Sequence, residues 1–285
     1  MVDSNAGSHG RFVWYELMTT DRAAAEAFYA KVVGWGTEDA SMPGMAYTLF
    51  TVGGVSVGGV MGLPEYAKQT GVKPGWIGYV EVDDVDAAAA RVKRLGGTVH
   101  IPPTDIPNIS RFSVVADPQM ATLVLVKWLR PRREHSPEFG APGRVRWHEL
   151  FAADGEKVFA FYSELFGWQK AGPDNDATDT YLPFSVAGRT IGGMFTKPPT
   201  VPVPFWLYYF DVGDIDAAAK RVKADGGEII DGPTEVSDGS WIAECMDPQG
   251  VMFALVGRRT SNRIGYFERV TSRDASDPRA RRWNW

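Results

Sequence analysis

The sequence contains one cysteine, Cys245, and four histidines in 285 residues. A single cysteine excludes an internal disulfide framework and any metal site built from a cysteine cluster. No apolar run approaches the roughly 18 residues of a membrane-spanning helix, and the first stretch, "MVDSNAGSHG", lacks the apolar segment of a secretion signal. A net charge of −5 argues against a basic face for nucleic acid or anionic membranes. We expect a soluble, cytoplasmic monomer or homodimer that binds neither.

The sequence does contain the same unusual segment twice. "WYELMTTDRAAAEAFYAKVVGW" begins at Trp14 and "WHELFAADGEKVFAFYSELFGW" begins at Trp147, with Trp, Glu, Leu, Asp, Phe, Tyr, Gly and Trp at matching positions. Further along, "WIGYVEVDDVDAAAARVKRLGG" is matched by "WLYYFDVGDIDAAAKRVKADGG", and "ADPQMATLVLV" by "MDPQGVMFALV". Two long repeats are too few for a solenoid, so the chain is predicted to be a duplicated domain.

Each repeat has the pattern strand, helix and three strands, written twice. Asp21 and Asp154 occupy N-cap positions before amphipathic segments that end at Gly34 and Gly167. The glycine-rich "GGVSVGG" and "AGRTIGG" lie between strands, where tight turns and close backbone approach account for them. The predicted divisions are a first domain at 9–129, a linker at 130–143, a second domain at 144–257 and a C-terminal tail at 258–285.

In combination, the FY…GW helix end after a capping Asp, the "VDDVDAAAARV" and "VGDIDAAAKRV" segments and the two "DPQ" turns resemble the vicinal oxygen chelate superfamily. That superfamily includes glyoxalases, bleomycin-resistance proteins and extradiol dioxygenases. The resemblance covers both repeats. It implies an α+β fold in which tandem βαβββ modules form cupped mixed sheets with helices on the outer face. Two copies imply two cups, either one in each copy or two shared between the copies.

Strand alternation predicts which side chains enter the cups, because successive side chains point to opposite faces. On the first strand of each repeat, Tyr15 and His148 should face the helices. The side chains predicted to face the first cup are Trp14, Glu16, Met18, Ile77, Tyr79 and Glu81, and those predicted to face the second are Trp147, Glu149, Phe151, Leu207, Tyr209 and Asp211.

The resemblance also implies three places where active relatives hold a divalent metal. Trp14 and Trp147 occupy the first, Ile77 and Leu207 the second, and Val124 and Ala254 the third. None of these side chains offers the imidazole or carboxylate donors that an iron dioxygenase uses. A substitute site would need His100 and His148 to meet near Glu16 or Glu149. The sequence therefore predicts no metal and no cofactor.

The candidate site residues each have a functional and a structural interpretation. Glu16 and Glu149 could act as general acid or base, because a carboxyl beside an indole in a cup tends to have a raised pKa, or they could only organise the cup. Aromatic side chains could contact a planar ligand or simply fill space. The ligand-binding candidates are Trp14, Tyr79, Glu81, Arg111, Trp147, Tyr209, Asp211 and Trp241. Arg111 would bind a ligand carboxylate or phosphate, and surface exposure is its alternative.

Three functions remain open at this point. The first is a binding module whose metal-free, aromatic-lined cups capture a small organic molecule. The second is a metal-independent lyase, isomerase or hydrolase that uses a cup glutamate as general base, with a metal-dependent glyoxalase or dioxygenase as a weaker version. The third is an interaction role in which the tail ending in "RRWNW" contacts a partner. The sequence leaves open whether the protein is an enzyme.

Overall fold

The computed structural model describes residues 8–69, 71–129, 141–172 and 181–260, which form two eight-stranded mixed sheets. Most of the predicted linker and the tail beyond residue 260 lie outside these residues. The first repeat forms β1 (Phe12–Thr19), α1 (Arg22–Val32), β2 (Gly36–Asp39), β3 (Tyr47–Val52), β4 (Val55–Gly62), α2 (Glu65–Gln69), β5 (Gly75–Glu81), α3 (Val85–Arg94), β6 (Thr98–Ile106), β7 (Ser110–Ala116) and β8 (Thr122–Trp128). The second forms β9 (Val145–Ala152), α4 (Gly155–Phe166), β10 (Gln169–Lys170), β11 (Tyr181–Val186), β12 (Arg189–Thr196), β13 (Phe205–Asp214), α5 (Ile215–Ala224), β14 (Glu228–Glu235), β15 (Trp241–Met246) and β16 (Met252–Arg258).

The two sheets have the same strand order. The first runs β2-β3-β4-β1-β5-β8-β7-β6 and the second β10-β11-β12-β9-β13-β16-β15-β14. In each, the first strand of one βαβββ module pairs antiparallel with the first strand of the other, β1 with β5 and β9 with β13. This arrangement confirms the predicted duplicated α+β fold. The additional α2 lies in the β4–β5 connection, and no helix among the described residues is long and apolar enough to cross a membrane.

Local signals fix the helix boundaries as predicted. The side chain of Asp21 accepts a hydrogen bond from the backbone N–H of Ala24 at 3.0 Å, and Asp154 caps α4 in the same way. Gly167 ends α4 in the left-handed conformation, with φ of 73°. The stripe predicted for α1, which is Ala25, Phe28, Tyr29 and Val32, is buried.

The helix-side faces of the two sheets meet in one shared core. Leu17 of β1 and Leu150 of β9 are fully buried in a single apolar cluster that draws side chains from both repeats. Phe28 of α1 contacts the ring of Phe253 on β16, with centroids 5.7 Å apart. The helix-side face of each sheet is therefore covered by the other sheet and by the helices that lie between the two sheets.

The repeated motifs form the contact between the repeats. The hydroxyl of Tyr29 donates to Asp247 Oδ2 at 3.1 Å, and that of Tyr162 donates to Asp117 Oδ2 at 2.9 Å. Thus the tyrosine of each FY motif bonds the aspartate of the other repeat's DPQ turn. Likewise Trp35 and Trp168, which follow the helix-ending glycines, donate to the carbonyls of Gly143 and Gly10 at 2.7 Å. Each copy of the repeated segment is therefore hydrogen-bonded to the other half of the chain.

Matching positions also meet each other between the sheets. The Tyr15 hydroxyl lies 2.6 Å from His148 Nε2, and these two residues occupy equivalent places on β1 and β9. The backbone N–H of Gly78 donates to the hydroxyl of Tyr208 at 2.7 Å, again between equivalent places. A Cβ on Gly78 would lie 2.7 Å from that hydroxyl, so the missing side chain makes room for the tyrosine. The predicted helix-side orientation of His148 is confirmed.

Candidate functional site

The two cups are the sheet faces opposite the shared core. Because Leu17 enters that core, its neighbours on β1, Glu16 and Met18, point to the other side. Trp14 pairs with Tyr79, and Tyr79 pairs with Val124, so these side chains share the face of Glu16. We call this face the first cup. The equivalent face of the second sheet, with Trp147, Glu149, Leu207, Tyr209 and Ala254, is the second cup.

Glu16 is the acidic centre of the first cup. It is 8% exposed, and the Tyr47 hydroxyl donates to its Oε2 at 2.7 Å. That hydroxyl in turn accepts from Trp14 Nε1 at 3.3 Å, and Tyr79 also hydrogen-bonds Glu16. Burial raises the pKa of Glu16, while the bonds from Tyr47, Tyr79 and Trp14 work against the shift. The carboxyl can therefore hold or release a proton closer to neutrality than an exposed glutamate.

A glycine places Tyr47 over Glu16. Gly59 of β4 pairs with Glu16 in the sheet, and a Cβ at Gly59 would lie 2.0 Å from the Tyr47 hydroxyl oxygen. The same device recurs in the second cup, where a Cβ at Gly193 would lie 2.2 Å from the Tyr181 ring. These glycines of the predicted glycine-rich segments therefore allow close approach of an aromatic ring rather than binding phosphate.

The second cup has the same components as the first. Trp147 Nε1 donates to the Tyr181 hydroxyl at 2.9 Å, and the Tyr209 hydroxyl donates to Glu149 Oε2 at 2.7 Å. Glu149 is fully buried. Tyr47 and Tyr181 are absent from the sequence-based candidates, although their recurrence at matching positions of the two repeats was an available signal.

Another acidic residue of the second cup also escaped the sequence reasoning. Glu244 on β15 is 8% exposed and pairs with Ala254, which gives it the face of the cup. Its counterpart in the first sheet is Val114, which pairs with Val124. Because the two repeats differ here, comparing them did not reveal Glu244.

Arg111 and Trp241, which were predicted to bind a ligand in the cups, instead lie on the helix-side face of their sheets. Val115 and Cys245 enter the shared core, and Arg111 and Trp241 are an even number of residues from them on the same strands. The Arg111 guanidinium is held by Asp86 at 2.7 and 2.9 Å and by Asp105 at 2.8 Å.

Trp241 lies in the same surroundings in the second repeat. The Arg259 guanidinium lies 3.6 Å above its ring centroid and bonds Asp216 at 2.9 Å. Asp216 matches Asp86 of the first repeat, so an arginine meets this helix-start carboxylate in both halves, from β7 in one and from beyond β16 in the other. The difference between Arg111 and Trp241 therefore changes the helix side of each sheet and does not change the wall of a cup.

The two remaining acidic candidates lie at the ends of the central strands. Asp211 is 4% exposed, its Oδ2 is 3.5 Å from Arg146 Nη1, and Arg146 also contacts Asp238 at 2.9 Å. Burial raises the pKa of Asp211, and the Gly213 N–H and Arg146 oppose that shift. Glu81 is half-buried at the end of β5. Asp211 thus already has a charged partner.

The side chains at the three implied metal positions do not fit a metal ion. Strand pairing brings Trp14, Ile77 and Val124 onto one face of three neighbouring strands, as the resemblance requires, but none carries a suitable donor. His148 uses both ring nitrogens, on Tyr15 and on the Ile191 carbonyl, and His100 is exposed on the edge strand β6. Across residues 8–69, 71–129, 141–172 and 181–260, no group of three or more His, Cys, Asp or Glu side chains is placed to hold a metal.

Comparison with known proteins identifies the family. The family model of the Glyoxalase/Bleomycin resistance protein/Dioxygenase superfamily matches residues 11–125 and 144–255, and the chain belongs to this superfamily. The chain is 33% identical over 246 residues to CFP32 of Mycobacterium tuberculosis, assigned by its name to the glyoxylases, covering 85% of this chain and 93% of the relative. It is 30% identical over 263 residues to the anthracycline biosynthesis protein DnrV of Streptomyces peucetius, covering 88% and 94%.

Solved structures share the fold at low sequence identity. The Mn(II)-bound glyoxalase from Novosphingobium aromaticivorans is similar with a TM-score of 0.57 and 18% identity, covering 88% of this chain and 82% of that one. The 2,3-dioxygenase LapB from Pseudomonas sp. KL28 has a TM-score of 0.60 and 14% identity, covering 92% and 98%. Both likenesses confirm the two-module cupped fold.

Proposed function

We propose that this protein is a metal-independent binding protein for a small, planar organic molecule, which its aromatic-lined cups hold by stacking and hydrogen bonding. The observation that carries this proposal is the cluster of Glu16, Tyr47, Tyr79 and Trp14 at the place where the resemblance puts a metal. An indole and two phenols offer flat apolar surface with polar tips, which suits an aromatic ligand bearing hydroxyl or carbonyl groups. No metal is needed for such contacts.

The charge in the cup favours a ligand without negative charge. An anionic ligand would have to approach the buried Glu16 carboxyl, which costs free energy in a poorly solvated site. A neutral ligand hydroxyl can instead donate to the Glu16 carboxylate or to the hydroxyl oxygen of Tyr79. The relationship to a protein named for anthracycline biosynthesis also supports this ligand class, because anthracyclines are planar polycyclic compounds.

The test uses 1,8-dihydroxyanthraquinone, a neutral planar compound with hydroxyl and carbonyl groups. We expect saturable quenching of tryptophan fluorescence in the full chain. Glu16→Gln combined with Tyr79→Phe should weaken binding about tenfold or more, because each lost hydrogen bond is worth roughly 1 kcal/mol. Glu38→Gln, which changes an exposed glutamate on β2, is the matched control and should bind like the wild type. Absence of saturable binding would contradict the proposal.

Metal independence is tested separately. Elemental analysis of purified protein should find Mn, Fe, Ni and Zn far below one atom per chain, and dialysis against a chelator should leave binding of the anthraquinone unchanged. A stoichiometric metal that is lost together with binding would show that the cups use donors other than those described above.

A second function is favoured by the raised pKa of Glu16. A buried carboxyl with phenolic neighbours suits general acid–base catalysis, so a lyase, isomerase or hydrolase activity that needs no metal is the alternative. Conversion of a bound compound, followed by mass spectrometry, would reveal it. A Glu16→Gln, Glu149→Gln double variant should then lose turnover of that compound even at concentrations high enough to saturate its binding site. Full turnover in the double variant would exclude the two carboxyls as catalytic groups.

A further inference from the structure

We propose that only the first cup holds a ligand, one per chain, and that the second cup is filled by its own side chains. This inference rests on the proposed function and narrows it to one of two similar sites. It predicts a planar molecule lying against Met18, Met61 and Gly75, between the Glu16 cluster and the end of the sheet.

Three phenylalanines fill the second cup at positions where the first cup has two methionines and a glycine. Phe151 pairs with both Phe195 and Phe205 across the sheet. The ring centroids of Phe151 and Phe205 are 4.7 Å apart in a stacked arrangement, and those of Phe151 and Phe195 are 4.5 Å apart. All three belong to or pack against the apolar cluster of the second cup.

The same strand positions in the first cup are Met18, Met61 and Gly75. Met18 pairs with Met61 on β4 and with Gly75 on β5, in the same register as the phenylalanines. All three are half-buried, and a Cβ placed on Gly75 would meet nothing within 4 Å. The first cup therefore has open space where Phe205 lies in the second.

Exposure of the polar groups follows the same division. Tyr79 and Tyr47 are half-buried in the first cup, whereas Tyr209 and Tyr181 are 0% and 5% exposed in the second. Part of each tyrosine in the first cup is therefore accessible to a ligand before any protein group moves. In the second cup it would first have to separate stacked aromatic rings, which costs packing free energy.

The test exchanges the two sets of side chains. Isothermal titration of the full chain with 1,8-dihydroxyanthraquinone should give one site per chain. Met18→Phe, Met61→Phe and Gly75→Phe together should abolish that binding by filling the first cup. The matched reverse variant, Phe151→Met with Phe195→Met and Phe205→Gly, should keep the original site with affinity within about threefold. Circular dichroism checks that each variant is folded.

A measurement on the unaltered cups covers the case in which a triple variant fails to fold. In protein labelled with 5-fluorotryptophan, the ¹⁹F resonance of Trp14 should shift on titration and that of Trp147 should not, with assignments from the two single Trp→Phe variants. Two sites per chain, or a shift at Trp147 alone, would overturn the one-cup inference and leave the proposed function standing. Failure of the wild type to bind the anthraquinone would instead count against the proposed function.

Discussion

Two buried titratable side chains, one on β1 and one on β9, occupy adjacent positions of the repeat but face opposite sides of their sheets. Glu16 points into the first cup, and His148 points into the shared core. Each is held by tyrosine hydroxyl groups, and burial acts on both in favour of the uncharged form. Their contributions to stability should therefore depend on pH with opposite signs.

Replacing Glu16 by Gln should stabilise the protein at high pH. A raised pKa means that the folded state binds the proton more tightly, so the wild type loses stability as pH rises through the ordinary glutamate range and above. Glutamine stays neutral and avoids this loss. Chemical denaturation at pH 4.5 and pH 8 should show the advantage of Glu16→Gln growing with pH, and an advantage that is equal at both pH values would contradict the raised pKa.

His148 should make the protein sensitive to acid. Burial lowers its pKa from 6.5 to about 4, so its contribution to stability is complete above pH 6.5 and is lost as the pH falls towards 4. The loss should be on the order of 3 kcal/mol. The free energy of unfolding of His148→Gln should fall less between pH 7.5 and pH 4 than that of the wild type. The matched control, His100→Gln at an exposed position, should keep the wild-type dependence.

At the scale of elements, the Tyr47 ring lies across β4 and requires a glycine at position 59. Gly59→Ala should cost about 1–3 kcal/mol, because its Cβ would collide with Tyr47, and overpacking of this kind forces side chains from their preferred rotamers. In a Tyr47→Ala background the same change should cost much less. Gly62→Ala, at a site of the same strand with open space around it, should be nearly neutral in both backgrounds. Equal costs of Gly59→Ala in the two backgrounds would exclude the collision.

Most elements could be predicted from sequence because local chemistry determines them. Asp21 and Asp154 cap their helices, and alternation along β1 and β9 gave the faces of Glu16 and Glu149 correctly. The cup position predicted for Arg111 was wrong because a match between Arg111 and Trp241 in the two repeats does not specify a face of the sheet. The pairing of Val114 with Val124 would have shown that Arg111 lies on the opposite side.

The Phe151 stack could not be predicted in this way. Whether the three rings meet depends on which residues of β12 and β13 pair with Phe151 of β9. That register is set by three strands together. Tyr47 reaches Glu16 for a similar reason, because the contact joins β3 and β1 across the intervening strand β4.

At the scale of the whole molecule, the buried bonds between the repeats should make the two halves unfold together. Tyr29→Phe leaves Asp247 Oδ2 and Trp76 Nε1 without that hydroxyl, at a cost of roughly 1–3 kcal/mol, and Tyr162→Phe should cost a similar amount. Each variant should keep a single calorimetric transition.

The exposed contact between Arg91 and Glu164 is the matched comparison. Arg91→Ala should cost at most about 1 kcal/mol, because solvent screens exposed ion pairs. Separate transitions for the two halves in Tyr29→Phe would contradict the view that they form one cooperative unit.

The fit of Gly78 against Tyr208 limits how the protein could be rebuilt from a single half. A symmetrised chain made of the first half twice would bring glycine to glycine there and leave a hole the size of a phenol. A symmetrised chain made of the second half twice would place two tyrosine rings in a space that accommodates one. Glycine on one half and tyrosine on the other fit together only as a pair. Neither half can therefore replace the other at this contact.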